Sequence, residues 1–130
     1  MGNAYWVLGE VRRAIGFYEG ALAISREIGD RRGEGNHLGN LGGAYWALGE
    51  TRRGIEFATQ ALAISREIGD RRGEGNDLAN LGIAYKRLGN LNQAHDCWRQ
   101  ALAIFEAIES PHAATVRAWL AADDSAPAAD

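Results

Sequence analysis

The chain has 130 residues, about the length of one domain, and a chain of this size can bury a hydrophobic core. Hydrophobic residues make up 46% and charged residues 24%, with only two prolines, so the composition excludes wholesale disorder, collagen and a disulfide scaffold. The net charge of −3 argues against a generic nucleic-acid binder, which normally carries a basic excess.

The beginning of the chain, Met-Gly-Asn-Ala-Tyr-Trp, lacks the basic and then apolar pattern of a signal segment. No apolar run approaches the ~20 residues that cross a bilayer. The single cysteine, Cys97, cannot form an internal disulfide. We therefore expect a cytoplasmic protein with no membrane partner.

An internal repeat with a period of 40 residues decides the predicted architecture. Residues 21–36 and 61–76 are identical at all sixteen positions, and residues 1–40 match residues 41–80 at 29 positions. A third copy is weaker, with 12 matches between residues 81–110 and 41–70. A period between about 20 and 50 residues is typical of a solenoid or a related array.

Each period predicts two helices, a first helix A and a second helix B. Helix A of the second copy carries one apolar stripe with helical spacing, formed by Leu38, Leu41, Tyr45 and Leu48. Helix B carries two neighbouring stripes, which implies helices on both sides of it: Phe57, Ala61, Ile64 and Ile68 form one, and Ile55, Ala58 and Leu62 form the other.

Glycines separate the predicted helices. Gly49 followed by Glu50 predicts a left-handed cap and a tight turn between A and B, and Gly9 and Gly89 hold the same place in the other copies. Gly29 and Gly69, each followed by Asp, predict the end of one B helix and the N-cap of the next A helix. The predicted order is A1, B1, A2, B2, A3, B3, in repeats of about 1–33, 34–73 and 74–110.

The last part of the chain predicts a closing helix and a tail. Ser110 and Pro111 form an N-cap followed by proline at the first helical position. Val116, Trp119 and Leu120 follow with helical spacing, so the closing helix is predicted over 111–122. Residues 123–130 have nothing to bury and are predicted to be a disordered tail. Residues 1–122 thus form a single all-α domain.

The motif Leu41-Gly42-x-x-Tyr45, then Gly49, then Ala61-Leu62 resembles the tetratricopeptide repeat, and residues 81–102 repeat it. The resemblance covers residues 1 to about 108. Six residues beyond the usual 34 make the repeat similar to the lengthened repeats of GoLoco-binding spindle adaptors, and more loosely to kinesin light chains and bacterial signalling arrays. Gly54 and Ala58 depart from the family pattern of Ala and a large aromatic residue, which predicts weaker packing in the middle repeat.

This resemblance implies a right-handed superhelix of antiparallel helix pairs, whose A helices line a concave groove that binds a protein or peptide partner. The residues opposite the core stripe of each A helix are then the candidate peptide-binding residues. They are Asn36, Asn40 and Gly43 with Trp46 in A2, Asn76, Asn80, Ile83 and Arg87 with Lys86 in A3, and Asn3 with Trp6 in A1.

The asparagines are the most informative of these residues, because Asn is a mediocre helix former yet recurs on this face. A side-chain amide both donates and accepts, so it can pair with the backbone of an extended ligand without demanding a particular sequence. The alternative is that duplication copied solvated asparagines. Trp6 and Trp46 are either interface anchors or packing residues. Lys86 and Arg87 either favour an acidic group of the ligand or form a solvated pair.

Other chemistries find little support. Pairs of arginines recur with the repeat, but glutamates lie among them, so we do not expect a nucleic-acid partner. His95 and Cys97 are two residues apart on a helix and cannot bind one metal ion together, so no metal site and no cofactor are predicted. No nucleophile with a neighbouring base is found either, and an enzyme is not expected.

A second hypothesis is a structural repeat element that self-associates through its ends. Met1 stands where Leu41 stands in the second copy, which leaves A1 only about two turns long, and short helices are marginal. Ile15, Tyr18 and Leu22 would then form an apolar patch at the N-terminal end, and such a patch favours a homo-oligomer. The alternative is that Met1 to Leu8 covers B1 and the chain is a monomer.

Overall fold

The computed structural model describes residues 2–124, with side chains for residues 7–123, and over this range it contains helices and no strand. The predicted all-α fold class is confirmed. The helices are α1 (Gly2–Ile28), α2 (Arg31–Ala47), α3 (Thr51–Ile68), α4 (Arg71–Arg87), α5 (Leu91–Ala107) and α6 (His112–Asp124). The chain divides into two compact units, one up to Asp70 and one from Arg71 onward.

In the first unit, α2 contacts both α1 and α3. The stripe predicted for helix A2 supplies the centre of the core, because Leu38 is 1% exposed and Leu41 is fully buried. Tyr45 of the same stripe stacks on Phe57 of α3, with ring centroids 5.3 Å apart. The periodicity of the sequence therefore identifies the buried faces of α2 and α3 correctly.

In the second unit, α5 contacts both α4 and α6. Its core contains Trp98 and Phe105 of α5, exposed by only 2% and 1%, together with Leu78 and Leu81 of α4. Val116 of α6 is 1% exposed and completes this core. The helix α6 occupies the region predicted for the closing helix and continues two residues further, to Asp124. Residues 125–130, the rest of the predicted tail, and Met1 lie outside the described residues.

The glycine turns between helices are found where two of the three copies predict them. Gly49 and Gly89 have φ angles of +81° and +80°, which a residue without a Cβ adopts at little cost. The N–H of Glu50 donates to the carbonyl of Tyr45 over 2.9 Å, which closes the hydrogen-bonded cap typical of a left-handed helix end. At the next boundary, the side chain of Asp30 accepts from the N–H of Gly33 over 2.9 Å and caps α2 as predicted.

The first copy behaves differently, and the predicted turn at Gly9 is wrong. Leu8, Gly9 and Glu10 have the same sequence as Leu48, Gly49 and Glu50, yet they are helical and lie inside α1. Helices A1 and B1 are therefore one continuous helix. Continuing a helix adds one hydrogen bond for each residue fixed, whereas a separate two-turn helix would need a new nucleus and enough packing to offset it.

The third repeat ends on a non-glycine residue in the left-handed region. Glu109 has a φ of +55° and stands where the earlier copies have Gly29 and Gly69. A side chain costs about 1–2 kcal/mol in this conformation, part of which a glycine gives back as unfolded-chain entropy. We expect Glu109→Gly to raise the free energy of unfolding by up to about 1 kcal/mol, measured by urea denaturation. Gly69→Glu should lower it, and equal stability of all three proteins would contradict this account.

Candidate functional site

The face of α2 predicted to meet a partner is exposed. Asn36 and Asn40 are one helical turn apart and both reach solvent. Gly43 follows on the same face, and a Cβ built on it would meet no atom within 4 Å. Neither amide bonds to another side chain in the described part of the chain. This face of the first unit therefore presents free amide groups beside an open backbone surface.

The equivalent face of α4 in the second unit is more enclosed. Asn76 and Asn80 are again exposed and one turn apart, and both line a cavity of about 280 Å³ between α4, α5 and α6. The other lining residues are Ala79, Phe105, His112, Thr115, Val116 and Trp119. The cavity therefore combines apolar walls with two amides and a hydroxyl, a mixture typical of sites that bind a ligand in one orientation.

Contacts of α6 hold the second wall of this cavity in place. The ring of Trp119 lies 5.5 Å from the ring of Trp98, measured between centroids. His112 at the start of α6 lies 5.5 Å from the ring of Phe105 in the same way. Sequence analysis did not predict that Thr115 and His112 share a cavity with the asparagines, because the repeat pattern ends before α6. The N-cap signal at Ser110 and Pro111 and the helical spacing of Val116 and Trp119 predicted this helix but not its position against α4 and α5.

The two basic residues at the end of α4 have different surroundings. The ammonium of Lys86 lies 2.9 Å from a carboxylate oxygen of Asp123 and 5.7 Å from the centroid of the Trp98 ring. Hydrogen bonds from Lys86 and then from His95 hold the pKa of Asp123 below its usual range. Arg87 is exposed and has no ion pair within the described residues. The pair is therefore not simply solvated, since Asp123, placed in the tail by the sequence prediction, already neutralises Lys86.

Two other candidate residues, Ile83 and Trp46, are half-buried and have different surroundings from the asparagines. Ile83 is half-buried and lines a second cavity of about 270 Å³ with Lys86, Trp98, Trp119 and Ala122. Trp46 is half-buried, and its indole N–H donates to the carbonyl of Thr51 over 3.2 Å. Trp46 thus packs within its own helix pair. The side chains of Asn3 and Trp6 lie outside the described ones.

Three of the recurring arginines, Arg31, Arg32 and Arg71, form ion pairs. Arg31 donates to both carboxylate oxygens of Glu67, over 2.6 and 2.9 Å, and to Glu34 over 2.7 Å. The hydrogen bonds that Arg31 donates to Glu67 and then to Glu34 raise the pKa of its guanidinium. Burial raises the pKa of Glu34, but hydrogen bonds from Arg26 and Arg31 outweigh burial and leave it below its usual value. The ion pairs of Arg26 and Arg31 join the ends of α1, α2 and α3.

The described residues contain no cluster of three or more His, Cys, Asp or Glu side chains that could hold a metal ion. Among the described helices, none has the length and apolar content needed to cross a membrane.

Comparison with solved structures places this arrangement among known repeat proteins. BtubC (BKLC) from P. vanneervenii superposes with a TM-score of 0.76 at 26% identity, over 83% of this chain and 45% of that one. A putative kinesin light chain from Podosopora anserina with nearly identical TPR-like repeats gives 0.74 at 22% identity, over 92% of this chain and 60% of that one. The second likeness concerns the fold alone.

Sequence comparison gives shorter matches to whole proteins and longer ones to a family. G-protein-signaling modulator 1 of Mus musculus is 49% identical over 41 residues, 32% of this chain and 6% of that protein, and the Homo sapiens protein is 48% identical over 42 residues. This chain thus spans a small part of those relatives. The model of the family "Tetratricopeptide repeat" matches residues 1–67 and 40–107, most of the sequence. The chain belongs to the tetratricopeptide repeat family, as its Leu-Gly-x-x-Tyr motifs predicted.

Proposed function

We propose that this chain is a non-enzymatic, cytoplasmic interaction module whose exposed asparagines hold the backbone of an extended segment of a partner protein. Tetratricopeptide repeats generally mediate protein–protein interaction, which supports the class of function. The 41-residue similarity to a G-protein-signaling modulator also favours a protein partner. Arg31, Arg32 and Arg71 are paired with carboxylates and the net charge is −3, so we propose no nucleic-acid partner.

The observation that carries the proposal is the cavity between α4, α5 and α6. Asn76 and Asn80 offer two amides one turn apart at its edge, while Phe105 and Trp119 provide apolar wall. An amide can pair with both groups of one peptide unit. We infer that the bound segment places an apolar side chain in the cavity and its backbone along the two amides.

The first unit offers the same pair of amides without the cavity. Asn36 and Asn40 are exposed on α2, and the open surface at Gly43 lets a ligand backbone approach closely. We propose that this face also contacts backbone, with weaker side-chain selection. Of the basic pair in the second unit, only Arg87 is left to attract an acidic group, because Lys86 is paired with Asp123.

A peptide selection tests the amide contacts without knowledge of the natural partner. A displayed library of random peptides is selected on the full chain, and the enriched peptide is titrated by calorimetry. Losing an amide from a desolvated contact costs about 1–3 kcal/mol, so Asn76→Ala with Asn80→Ala should weaken binding by roughly a hundredfold or more. The melting temperature should hardly change, because both side chains are exposed.

Matched controls distinguish this site from other amides on the surface. Asn92→Ala with Gln93→Ala removes two exposed amides from α5 and should leave the affinity unchanged. Asn36→Ala with Asn40→Ala tests the first unit in the same way. A selected peptide that binds the Asn76→Ala, Asn80→Ala variant with undiminished affinity would refute the assignment in the second unit, as would failure of the wild-type chain to enrich any peptide.

A further inference from the structure

One face of α1 carries three large apolar side chains that nothing in the described chain covers. Phe17 is 73% exposed, Ile24 59% and Ile28 70%. Spacings of seven and four residues put them in one line along the helix, here called the α1 stripe. Exposed aliphatic and aromatic groups aligned in this way mark an interaction surface more often than isolated ones do.

The α1 stripe is not the patch that the sequence predicted. Ile15 and Leu22 are 7% and 6% exposed and belong to the core shared with α2, and Tyr18 is half-buried against that core. The prediction of an exposed patch at these three residues is wrong, because α2 covers them. The uncovered side of α1 is the neighbouring face.

The repeat shows that this face is suited to packing against a helix. The same residue types recur 40 positions later as Phe57, Ile64 and Ile68 of α3. There, Phe57 stacks on Tyr45 of α2 and Ile64 is only 5% exposed. In α3 this stripe is covered by α2. In α1 the residues that would form the covering helix by the repeat pattern, those before Gly9, belong to the same continuous helix as the stripe and therefore cannot pack on it.

We propose that the α1 stripe is covered by the α1 stripe of a second copy of this chain, in an antiparallel helix pair with two-fold symmetry. In a two-fold contact the same surface of both copies must fit against itself. The α1 stripe meets this requirement in an antiparallel arrangement. An axis on the side of Ala21 and Ile24, at the height midway between residues 22 and 23, pairs Phe17 with Ile28 of the second copy and Ala21 with its Ile24. Each large side chain at the centre then meets a small one, and each contact occurs twice.

The composition of the face favours a second copy over a charged partner. From residue 17 to 28 the centre of this side of the helix holds Phe17, Gly20, Ala21, Ile24 and Ile28, none of them charged. A Cβ built on Gly20 would meet no atom within 4 Å, so a second helix can approach closely here. One helix pair is a small interface, and the dimer should therefore dissociate on dilution.

Light scattering coupled to size-exclusion chromatography tests the surface on the full chain. The wild-type mass should rise from 14.1 kDa towards twice that value over about a hundredfold increase in concentration. Ile24→Glu should abolish the rise, since it places two like charges beside the axis. Ala23→Glu, at the next exposed position but facing away from the stripe, should keep it. Circular dichroism confirms that both variants are folded.

A charge-exchange variant tests the register. Phe17→Asp should give a monomer, and Phe17→Asp combined with Ile28→Lys should restore the dimer through opposite charges, in a salt-sensitive manner. A constant mass of one chain for the wild type would overturn the proposal. Dimers that survive Ile24→Glu, masses beyond two copies, or a double variant that stays monomeric would overturn the two-fold pairing as well. None of these variants touches α4, so peptide binding there is assessed independently.

Discussion

Replacing Trp98 by alanine is expected to lower the free energy of unfolding of the second unit by about 3–5 kcal/mol. The side chain is 2% exposed, and its indole N–H donates to the carbonyl of Ala79 over 3.2 Å. It also contacts the ring of Trp119 on α6. The substitution therefore removes packing to both α4 and α6 and leaves a large cavity between three helices.

Urea unfolding followed by circular dichroism measures this loss, and native-state hydrogen exchange locates it. The amides of α4, α5 and α6 should lose protection together, because Trp98 contacts all three helices. Leu91→Ala is a control on the same helix, since Leu91 is 48% exposed and its truncation should cost less than about 1 kcal/mol. A similar cost for the two substitutions would show that Trp98 does not organise the unit.

Loss of Trp98 should also affect the candidate site. Trp119, which lines the cavity beside Asn76 and Asn80, is positioned partly by its contact with Trp98. We therefore expect Trp98→Ala to weaken peptide binding even at temperatures where the chain remains folded. The packing of the core therefore also determines the shape of the candidate site.

The sequence predicted the fold well because the repeat supplies the same local signals several times. Each glycine turn agrees with the apolar stripes on either side, and Gly49 and Gly89 adopt the left-handed conformation that the pattern required. Gly9 lies in the same tripeptide but is helical. The difference is tertiary: in the second copy Tyr45 of helix A stacks on Phe57 of helix B, whereas Phe17, the equivalent of Phe57, is 73% exposed in the first copy.

The candidate site was predictable only in part. The exposed asparagines followed from the helical wheel, because the opposite face was apolar. The cavity beside Asn80 did not follow, since it depends on how α6 lies against α5, outside the repeat. For the same reason the sequence did not reveal the ion pair of Lys86, because its partner Asp123 belongs to the last turn of α6. Long-range pairs of this kind leave no periodic trace in one sequence.

In the first unit, a residue of another helix supplies the aromatic ring that the family pattern prefers at position 58. Ala58 stands where a large aromatic residue is preferred, and Gly54 stands where alanine is preferred, so weaker packing was expected. In the structure the indole of Trp46 fills the space over Gly54, while a Cβ built on Gly42 would lie within ordinary contact distance of the Ala58 side chain. The aromatic ring thus comes from α2 in the first unit and from α5, as Trp98, in the second.

The second large effect on the free energy of unfolding is expected at Gly82, the glycine of the second unit that lies against an indole. A Cβ on Gly82 would meet the Nε1 and Cδ1 atoms of Trp98 and lie 3.0 Å from its Cε2 atom. The buried indole cannot move aside without losing its hydrogen bond to Ala79. We expect Gly82→Ala to lower the free energy of unfolding by about 1–3 kcal/mol, although alanine is the better helix former.

Gly43→Ala is the matched control, because Gly43 is also inside a helix but a Cβ there meets no atom within 4 Å. Here only the helix propensity changes, and the free energy of unfolding should rise by about 0.5–1 kcal/mol. The same substitution is thus expected to have opposite signs at two helical glycines, as measured by urea denaturation. If both variants were stabilised, the close approach of α4 to Trp98 would be refuted, because a relaxed indole would then accommodate the methyl group.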